Sequence, residues 1–413
     1  MKIACRNLNL DIKAPLSKSV YHRELIINFI LGARGGFLND SEDDNDDIRA
    51  TKSCLRALEN NDAEEIVLNC NESGSTLRFM IPVALACKSS NAKKLIFKTR
   101  GRLIDRPIKE LSDCLAPSGV SITKNVEANE ITVTGNIEPG KYVIDGSVSS
   151  QYISGLLMAL SKFGESSIIE VTNGIASVHY IELTTDALAK YGINIVKEGD
   201  TFKVPANSVN EVPDGNFEVE GDWSNGAFLL CLGSLIHGGS AKVTGLNMDS
   251  VQGDRAIMKF LKLAGISFIV EGDTVFVQDS LINPVRNTIE MDCSDIPDIV
   301  PYMAVTGAFR TYKTVLTGIK RLRIKESDRA KAITEMISEI GGNVTLEEDT
   351  ITIEYIDKTA DRINLTSSGD HSMAMAAVLC AAATGKDIEL DNIDCLDKSF
   401  PEFRKTVQKE LIL

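Results

Sequence analysis

Residues 333–355 read ITEMISEIGGNVTLEEDTITIEY, and this stretch decides the fold. Its first half sets Ile333, Met336, Ile337 and Ile340 at the spacing of one helix face. Gly341 and Gly342 follow, where a left-handed residue commonly ends a helix. The second half alternates Val344, Leu346, Ile351 and Ile353 with polar residues around an acidic turn, which predicts a hairpin. The design recurs at 257–279 (IMKFLKLAGISFIVEGDTVFVQD), 184–204 (TTDALAKYGINIVKEGDTFKV) and 108–135 (IKELSDCLAPSGVSITKNVEANEITVTG).

A second pattern, a polar turn running straight into an apolar helix, occurs six times. The copies are PLSKSVYHRELIINFIL from Pro15, NESGSTLRFMIPVALA from Asn71, GSVSSQYISGLLMAL from Gly146, GDWSNGAFLLCLGSLI from Gly221, CSDIPDIVPYMAVTGAF from Cys293 and SSGDHSMAMAAVLCAAA from Ser367. After a shorter first gap of about 56 residues, the starts recur roughly every 75, a period that marks repeated supersecondary units. The unit reads strand, helix, strand, helix, hairpin (βαβαββ). Helices apolar nearly all round belong in a core, and alternating strands cover it with one face to solvent. Six units predict an α/β fold of two domains with three units each. The expected boundaries are 1–13 plus 218–413 for a discontinuous domain I and 14–217 for domain II, with the chain crossing near Lys13 and Glu218.

Composition narrows the function. The chain has 413 residues, 43% hydrophobic and 25% charged, as expected for globular domains with sizeable cores. No apolar run is long enough to span a bilayer. The start MKIACRNLNL lacks the apolar stretch of a signal peptide and reads as a strand. The nine Cys form no CxxC pair, and the four His have no metal-ligand spacing. Reduced thiols and a cytoplasmic location are expected, with no metal. A net charge of −14 argues against nucleic-acid binding, so any anion must be held by a local basic pocket.

Such a pocket is visible. The apolar helices start at Ser17 and Ser19, Ser73 to Thr76, Ser149 and Ser150, Ser224, Ser294, and Ser367 and Ser368. Ser and Thr are ordinary N-caps, but six starts at equivalent positions predict a shared cleft of helix N-termini, which attract anions. Basic residues stand beside them: Lys18, Arg23, Arg78, Arg100, Arg102, Arg106, Arg321, Arg323, Lys325, Arg329, Lys398 and Arg404. Within KRLRIKESDR, Lys325, Glu326 and Arg329 fall at helical spacing, so Glu326 can brace a cation while others face a ligand. The acidic run SEDDNDDIR reads as a solvated turn and helix start.

PLSKSVYHR, ESGSTLR, DRPI, GSVSSQY, DIPD, RIKESDR, GDH and DKSFPEF stand in this order over essentially the whole chain. In order and spacing they resemble the 5-enolpyruvylshikimate-3-phosphate synthases, of the enolpyruvyl transferase family. The resemblance implies a two-domain inside-out α/β barrel fold with the active site in the interdomain cleft. It implies a monomer with no cofactor. It also implies transfer of the enolpyruvyl group of phosphoenolpyruvate to the 5-hydroxyl of shikimate 3-phosphate, with release of phosphate. Position by position, Lys18 would touch both substrates. Ser19, Arg23, Ser149, Ser150, Ser177, Asp298 and Lys325 would bind shikimate 3-phosphate. Gly74, Arg106, Arg329 and Lys398 would bind phosphoenolpyruvate, with Gln151 bridging the two and Arg78 supporting the Gly74 loop. The chemistry needs positioned acids and bases and matched cations. Asp298 is the candidate base for the acceptor hydroxyl, Lys18 and Glu326 the candidates at the methylene carbon, and His371 their support.

One position departs from the family pattern. An Arg that contacts phosphoenolpyruvate follows the His of its GDH motif, and here Ser372 stands there. Weaker phosphoenolpyruvate binding is expected, unless Arg321, Arg323 or Arg404 substitutes. Two other readings remain open. One is the sister enzyme acting on UDP-N-acetylglucosamine, although the Arg100–Arg106 loop has no Cys. The other is a catalytically weakened relative that binds shikimate 3-phosphate.

Overall fold

The computed structural model describes residues 2–3, 9–42, 44–59, 61–209, 211–278, 285–403 and 405. Two compact units result: Met1–Ser17 with Glu220–Leu413, and Lys18–Val219. The residues just before Lys18 are tied into the first unit. Leu16 bridges Gly221, the Ser17 amide donates to the Glu220 carbonyl, and the Asp222 amide donates to the Pro15 carbonyl.

The first unit opens with β1 (Lys2–Ile3) and β2 (Asn9–Lys13). The Lys18–Val219 unit follows with α1 (Lys18–Ile30) and α2 (Asp46–Leu58). Then come β3 (Glu65–Asn71), α3 (Gly74–Cys87), β4 (Lys94–Thr99), α4 (Lys109–Leu115), β5 (Ser121–Asn125) and β6 (Glu130–Thr134). They are followed by β7 (Lys141–Asp145), α5 (Ser150–Leu160), β8 (Ser167–Thr172), α6 (Val178–Lys190), β9 (Val196–Glu198) and β10 (Thr201–Val204). Two sheets form, in the orders β3-β4-β6-β5 and β7-β8-β10-β9. In each, the first pair is parallel and the rest antiparallel. A helical crossover dictates the parallel pair and a hairpin the antiparallel one.

The first unit resumes with α7 (Trp223–Leu235), β11 (Ser240–Thr244), α8 (Ile257–Leu263), β12 (Phe268–Glu271) and β13 (Thr274–Gln278). Next are β14 (Val285–Asp292), α9 (Val300–Arg310), β15 (Thr311–Thr317), α10 (Arg329–Glu339), β16 (Val344–Leu346) and β17 (Thr350–Glu354). Last are β18 (Asn364–Leu365), α11 (His371–Thr384) and β19 (Ile388–Leu390). The sheets are β2-β11-β13-β12, β14-β15-β17-β16 and β1-β19-β18. The N-terminal strands thus complete sheets whose other strands come from the C-terminal half.

Helices pack inside and sheets outside. α1, α3 and α5 pack against one another in one unit, and α7, α9 and α11 in the other. These helices are buried almost all round, whereas β3 alternates exposed and buried residues. Gly155 permits the close approach of α5 to α3. A Cβ there would stand 2.9 Å from the Arg78 carbonyl and 3.0 Å from Pro82 Cγ. That carbonyl lies four residues before Pro82, which has no N–H to offer it.

The βαβαββ pattern does not run six times in full among the described residues. Four sheets have it, one has three strands, and the α1–α2 pair has no sheet of its own. The segment between α1 and α2 offers no alternating apolar run, and it holds Gly32 and Gly35 at positive φ. Among the described residues this segment forms no strand.

Candidate active site

In the Lys18–Val219 unit the expected residues gather at the starts of α1, α3, α5 and α6. Ser73 caps α3 by accepting from the Thr76 amide, and Ser149 caps α5 by accepting from the Gln151 amide. Neutral caps leave the positive ends of these helices without a charged partner from the cap itself. The Gln151 side chain ties the two starts together. Its Oε1 accepts from Arg78 Nη1 at 2.7 Å, and its Nε2 donates to Ser75 Oγ at 2.9 Å. Arg78 also donates to the Pro107 carbonyl, so it braces the loop that carries Arg106. Arg106 lies directly over Gly74, where any Cβ would run into its guanidinium. A side chain at this turn would have to push the flexible end of Arg106 aside.

Arg23 carries the clearest electrostatic signal. It is 1% exposed. Its Nε donates to Thr184 Oγ1 (2.7 Å), its Nη1 to the Ser19 carbonyl (2.5 Å), and its Nη2 to the Tyr180 carbonyl (2.6 Å) and Ser154 Oγ (3.4 Å). Among the described residues no carboxylate pairs with it. Burial pulls its pKa down to about 9, which still leaves it charged at neutral pH. A buried cation with only neutral partners is costly unless an anion completes it. Ser177, which precedes α6, is fully buried at φ 53, ψ 64. A non-glycine residue in that region carries backbone strain of the kind found at ligand sites. Lys18 pairs with Asp47 at 3.0 Å.

The other unit is built differently. Asp222 caps α7 by accepting from the Asn225 amide, and Asp370 caps α11 by accepting from the Ser372 amide. α9 has no side-chain cap. The expected row of hydroxyl caps is therefore corrected here. Ser224 lies inside α7, Ser294 well before α9, and Ser367 and Ser368 just ahead of the Asp370 cap. Arg329, expected to face phosphoenolpyruvate, is 1% exposed and grips three carboxylates. Its Nε donates to Asp370 Oδ2 (2.8 Å), its Nη1 to Asp298 Oδ1 (2.8 Å), and its Nη2 to Glu326 Oε2 (2.9 Å) and Asp370 Oδ1 (3.1 Å). Burial alone would lower the Arg329 pKa, but these carboxylates hold it well above the ordinary value. Burial would likewise raise the Asp370 carboxyl, but Arg329 holds it below the ordinary value.

Lys325 Nζ also donates to Asp298 Oδ1, at 2.9 Å, and burial lowers its pKa. Asp298 thus meets two cations on one oxygen. Lys398 Nζ donates to the Gly369 carbonyl at 3.0 Å, close to the α11 start. His371 Nδ1 lies 3.9 Å from Asp370 Oδ1. Ser372 is buried in the first turn of α11, beside the Tyr302 phenol, which donates to Met375 Sδ at 3.1 Å. Of the possible substitute cations, Arg323 is engaged with the Glu347 carbonyl, and Arg404 lies outside the described residues.

Several residues that matter here escaped the sequence reading. Asp47 belongs to the acidic run read as solvated, yet it tethers Lys18. In the same run Asp44 is buried against Lys52 at 2.7 Å. Asp254 is buried, and its carboxyl is pushed well above the ordinary range by burial and then by the nearby charges of Asp298 and Asp222. No sequence signal pointed to it. Asp370 stood inside the GDH motif, where its place before an apolar helix could have marked it as a cap.

Comparisons with known proteins bear on the family and the fold. A family profile described as EPSP synthase (3-phosphoshikimate 1-carboxyvinyltransferase) matches residues 36–407. The 3-phosphoshikimate 1-carboxyvinyltransferase of Clostridioides difficile (strain 630) is 30% identical over 432 residues, covering 98% of this chain and 96% of that protein. The protein of the same name from Clostridium novyi (strain NT) is 32% identical over 438 residues, covering 99% and 97%. The solved EPSP synthase from Acinetobacter baumannii superposes with a TM-score of 0.72 at 19% identity, over 100% of this chain and 98% of that one. The enolpyruvyl transferase NikO from Streptomyces tendae gives a TM-score of 0.70 at 13% identity, over 99% and 96%. Both structures share the α/β fold with this chain. On the full-length match of sequence and profile, this chain belongs to the EPSP synthase (3-phosphoshikimate 1-carboxyvinyltransferase) family.

Proposed function

We propose that the two units divide the labour of the 3-phosphoshikimate 1-carboxyvinyltransferase reaction, which serves aromatic amino acid biosynthesis. The enolpyruvyl group of phosphoenolpyruvate passes to the 5-hydroxyl of shikimate 3-phosphate, and phosphate leaves. The Lys18–Val219 unit traps the anions. Arg23, Ser19, Ser149, Ser150 and Ser177 take shikimate 3-phosphate, to which Asp298 and Lys325 also contribute. Gly74 and Arg106 take phosphoenolpyruvate, Gln151 serves both, and Lys18 reaches both. The observation that carries this reading is the buried Arg23 with no carboxylate partner among the described residues.

The other unit supplies proton transfer. Asp298, flanked by Lys325 and Arg329, takes the proton of the acceptor hydroxyl as it attacks C2 of phosphoenolpyruvate. Lys18 and Glu326 deliver a proton to the methylene carbon, giving a tetrahedral intermediate. Loss of a proton from the resulting methyl group then re-forms the double bond as phosphate departs. Lys398 balances charge on the phosphoenolpyruvate side, and Arg329, saturated by Asp298, Glu326 and Asp370, holds those carboxylates in place. In family terms the fold is two inside-out α/β domains built from repeated βαβαββ units. The reading includes a monomer working in the cytoplasm. Free thiols at all eight described cysteines support that location.

The test is phosphate release from phosphoenolpyruvate with each acceptor in turn. Release with shikimate 3-phosphate alone is expected. Release only with UDP-N-acetylglucosamine, or none with either, would overturn the proposal.

A further inference from the structure

Behind the Gly74 turn runs a buried chain of polar side chains that the transfer chemistry leaves unused. His22 on α1, Thr51 on α2, and Thr76 and Ser73 at the start of α3 are each no more than 1% exposed. His22 Nδ1 is 2.8 Å from Thr51 Oγ1, which is 2.7 Å from Thr76 Oγ1. Thr76 Oγ1 is 2.8 Å from Ser73 Oγ and 3.2 Å from the Asp47 carbonyl. The chain joins the helix that carries Lys18, Ser19 and Arg23 to the turn that carries Gly74 and Ser75.

The chain has a direction. Burial drives the His22 pKa down to about 3, so the imidazole is neutral and has one N–H. Its Nε2 has no hydrogen-bond partner among the described residues. A buried acceptor without a partner is tolerated more often than a buried orphan N–H. The proton therefore sits on Nδ1 and is donated to Thr51. Thr51 must then give its one proton to Thr76, and Thr76 gives its own to Ser73, the nearer of its two acceptors. Ser73 already accepts from the Thr76 amide at 3.2 Å. Its own O–H is the end of the chain, at the cap of α3 next to Gly74.

We propose that His22, Thr51, Thr76 and Ser73 form a positioning chain through which α1 sets the first turn of α3. The chain leaves the Ser73 hydroxyl proton as a donor for the anion held at Gly74 and Ser75. The proposal rests on the reading of that turn as the phosphoenolpyruvate site. None of the four need meet the reacting atoms, so the expected signature is selective: affinity for one substrate changes and affinity for the other does not.

Thr51→Val preserves shape and cuts the chain at its centre, whereas Thr51→Ser keeps the hydroxyl. In the full-length enzyme with both substrates varied, Thr51→Val should raise KM for phosphoenolpyruvate about tenfold, the worth of a buried hydrogen bond. KM for shikimate 3-phosphate should stay near wild type, and Thr51→Ser should restore KM for phosphoenolpyruvate. Nitrogen-15 NMR of the wild-type protein should find His22 in the Nδ1–H tautomer across neutral pH. An Nε2–H tautomer, an equal rise in both KM values, no rise in either, or no rescue by serine would overturn the proposal. The tautomer decides the matter even if Thr51→Val fails to fold. Gly74→Ala separates the two levels of the argument. If it raises KM for phosphoenolpyruvate and Thr51→Val does not, the chain has no positioning role and the site reading stands. If it leaves that KM unchanged, the site reading falls and the proposal with it.

Discussion

The two units treat a buried arginine in opposite ways. In Lys18–Val219 the buried Arg23 meets only hydroxyls and carbonyls, and α3 and α5 are capped by serines. In the other unit the equally buried Arg329 meets three carboxylates, and α7 and α11 are capped by aspartates. A cation left without a counter-ion is a place for a ligand's charge. A cation saturated by carboxylates instead organises them, holding an acid or base in place. This contrast is the ground for proposing anion capture in one unit and proton transfer in the other.

Asp298→Asn strikes the second role most directly. It should lower kcat by roughly a hundred- to ten-thousandfold, the usual worth of a general base. A steady-state assay at saturating substrates checks this, and a change in KM alone would break the assignment. Arg329→Leu should strand three carboxylates and cost about 3–5 kcal/mol of folding stability. Urea unfolding without ligands would reveal that loss. A protein of normal stability with selectively weakened phosphoenolpyruvate binding would mean that Arg329 belongs with Arg23. Ser372→Arg adds a cation beside the Asp370 cap. It should lower KM for phosphoenolpyruvate by roughly 10- to 100-fold if a charge-assisted contact is missing there. An unchanged KM would show that Lys398, or another cation, already fills the role.

The smallest effect concerns pH. His22 has a folded pKa of about 3 against an ordinary 6.5. Below about pH 6.5 the unfolded chain binds a proton that folded His22 refuses, so this contribution to stability falls by about 1.4 kcal/mol per pH unit. The loss continues until pH reaches the folded pKa. Urea unfolding between neutral and mildly acidic pH should therefore show a slope one proton smaller in His22→Gln than in wild type.

Much of this was legible in the chain itself. The alternation in 344–353 became β16 and β17, and the apolar stretches became the buried helices α1, α3, α5, α7, α9 and α11. The serines of ESGSTLR and GSVSSQY became caps because a hydroxyl next to a helix start has a local partner. The aspartate caps were missed because serines nearby drew the same reading. The Arg329–Asp370 and His22–Thr51–Thr76 contacts join residues on separate elements. Helical and strand periodicity reports which face is buried, not which buried polar groups meet. The absence of a sheet beside α1 and α2 among the described residues has the same kind of cause. The repeat was inferred from its helix starts, and the glycine-bearing segment after α1 carries no strand pattern to continue it.

The division of labour is tested most directly by calorimetric titration of shikimate 3-phosphate, without phosphoenolpyruvate, into Arg23→Leu and Asp298→Asn. The account predicts that Arg23→Leu weakens binding about a hundredfold or more, the loss of a buried charge-assisted contact, while Asp298→Asn, which keeps a hydrogen-bonding side chain of the same shape, weakens it by no more than about tenfold yet turns over roughly a hundred- to ten-thousandfold more slowly. Wild-type affinity in Arg23→Leu, or an equal loss in Asp298→Asn, would contradict it.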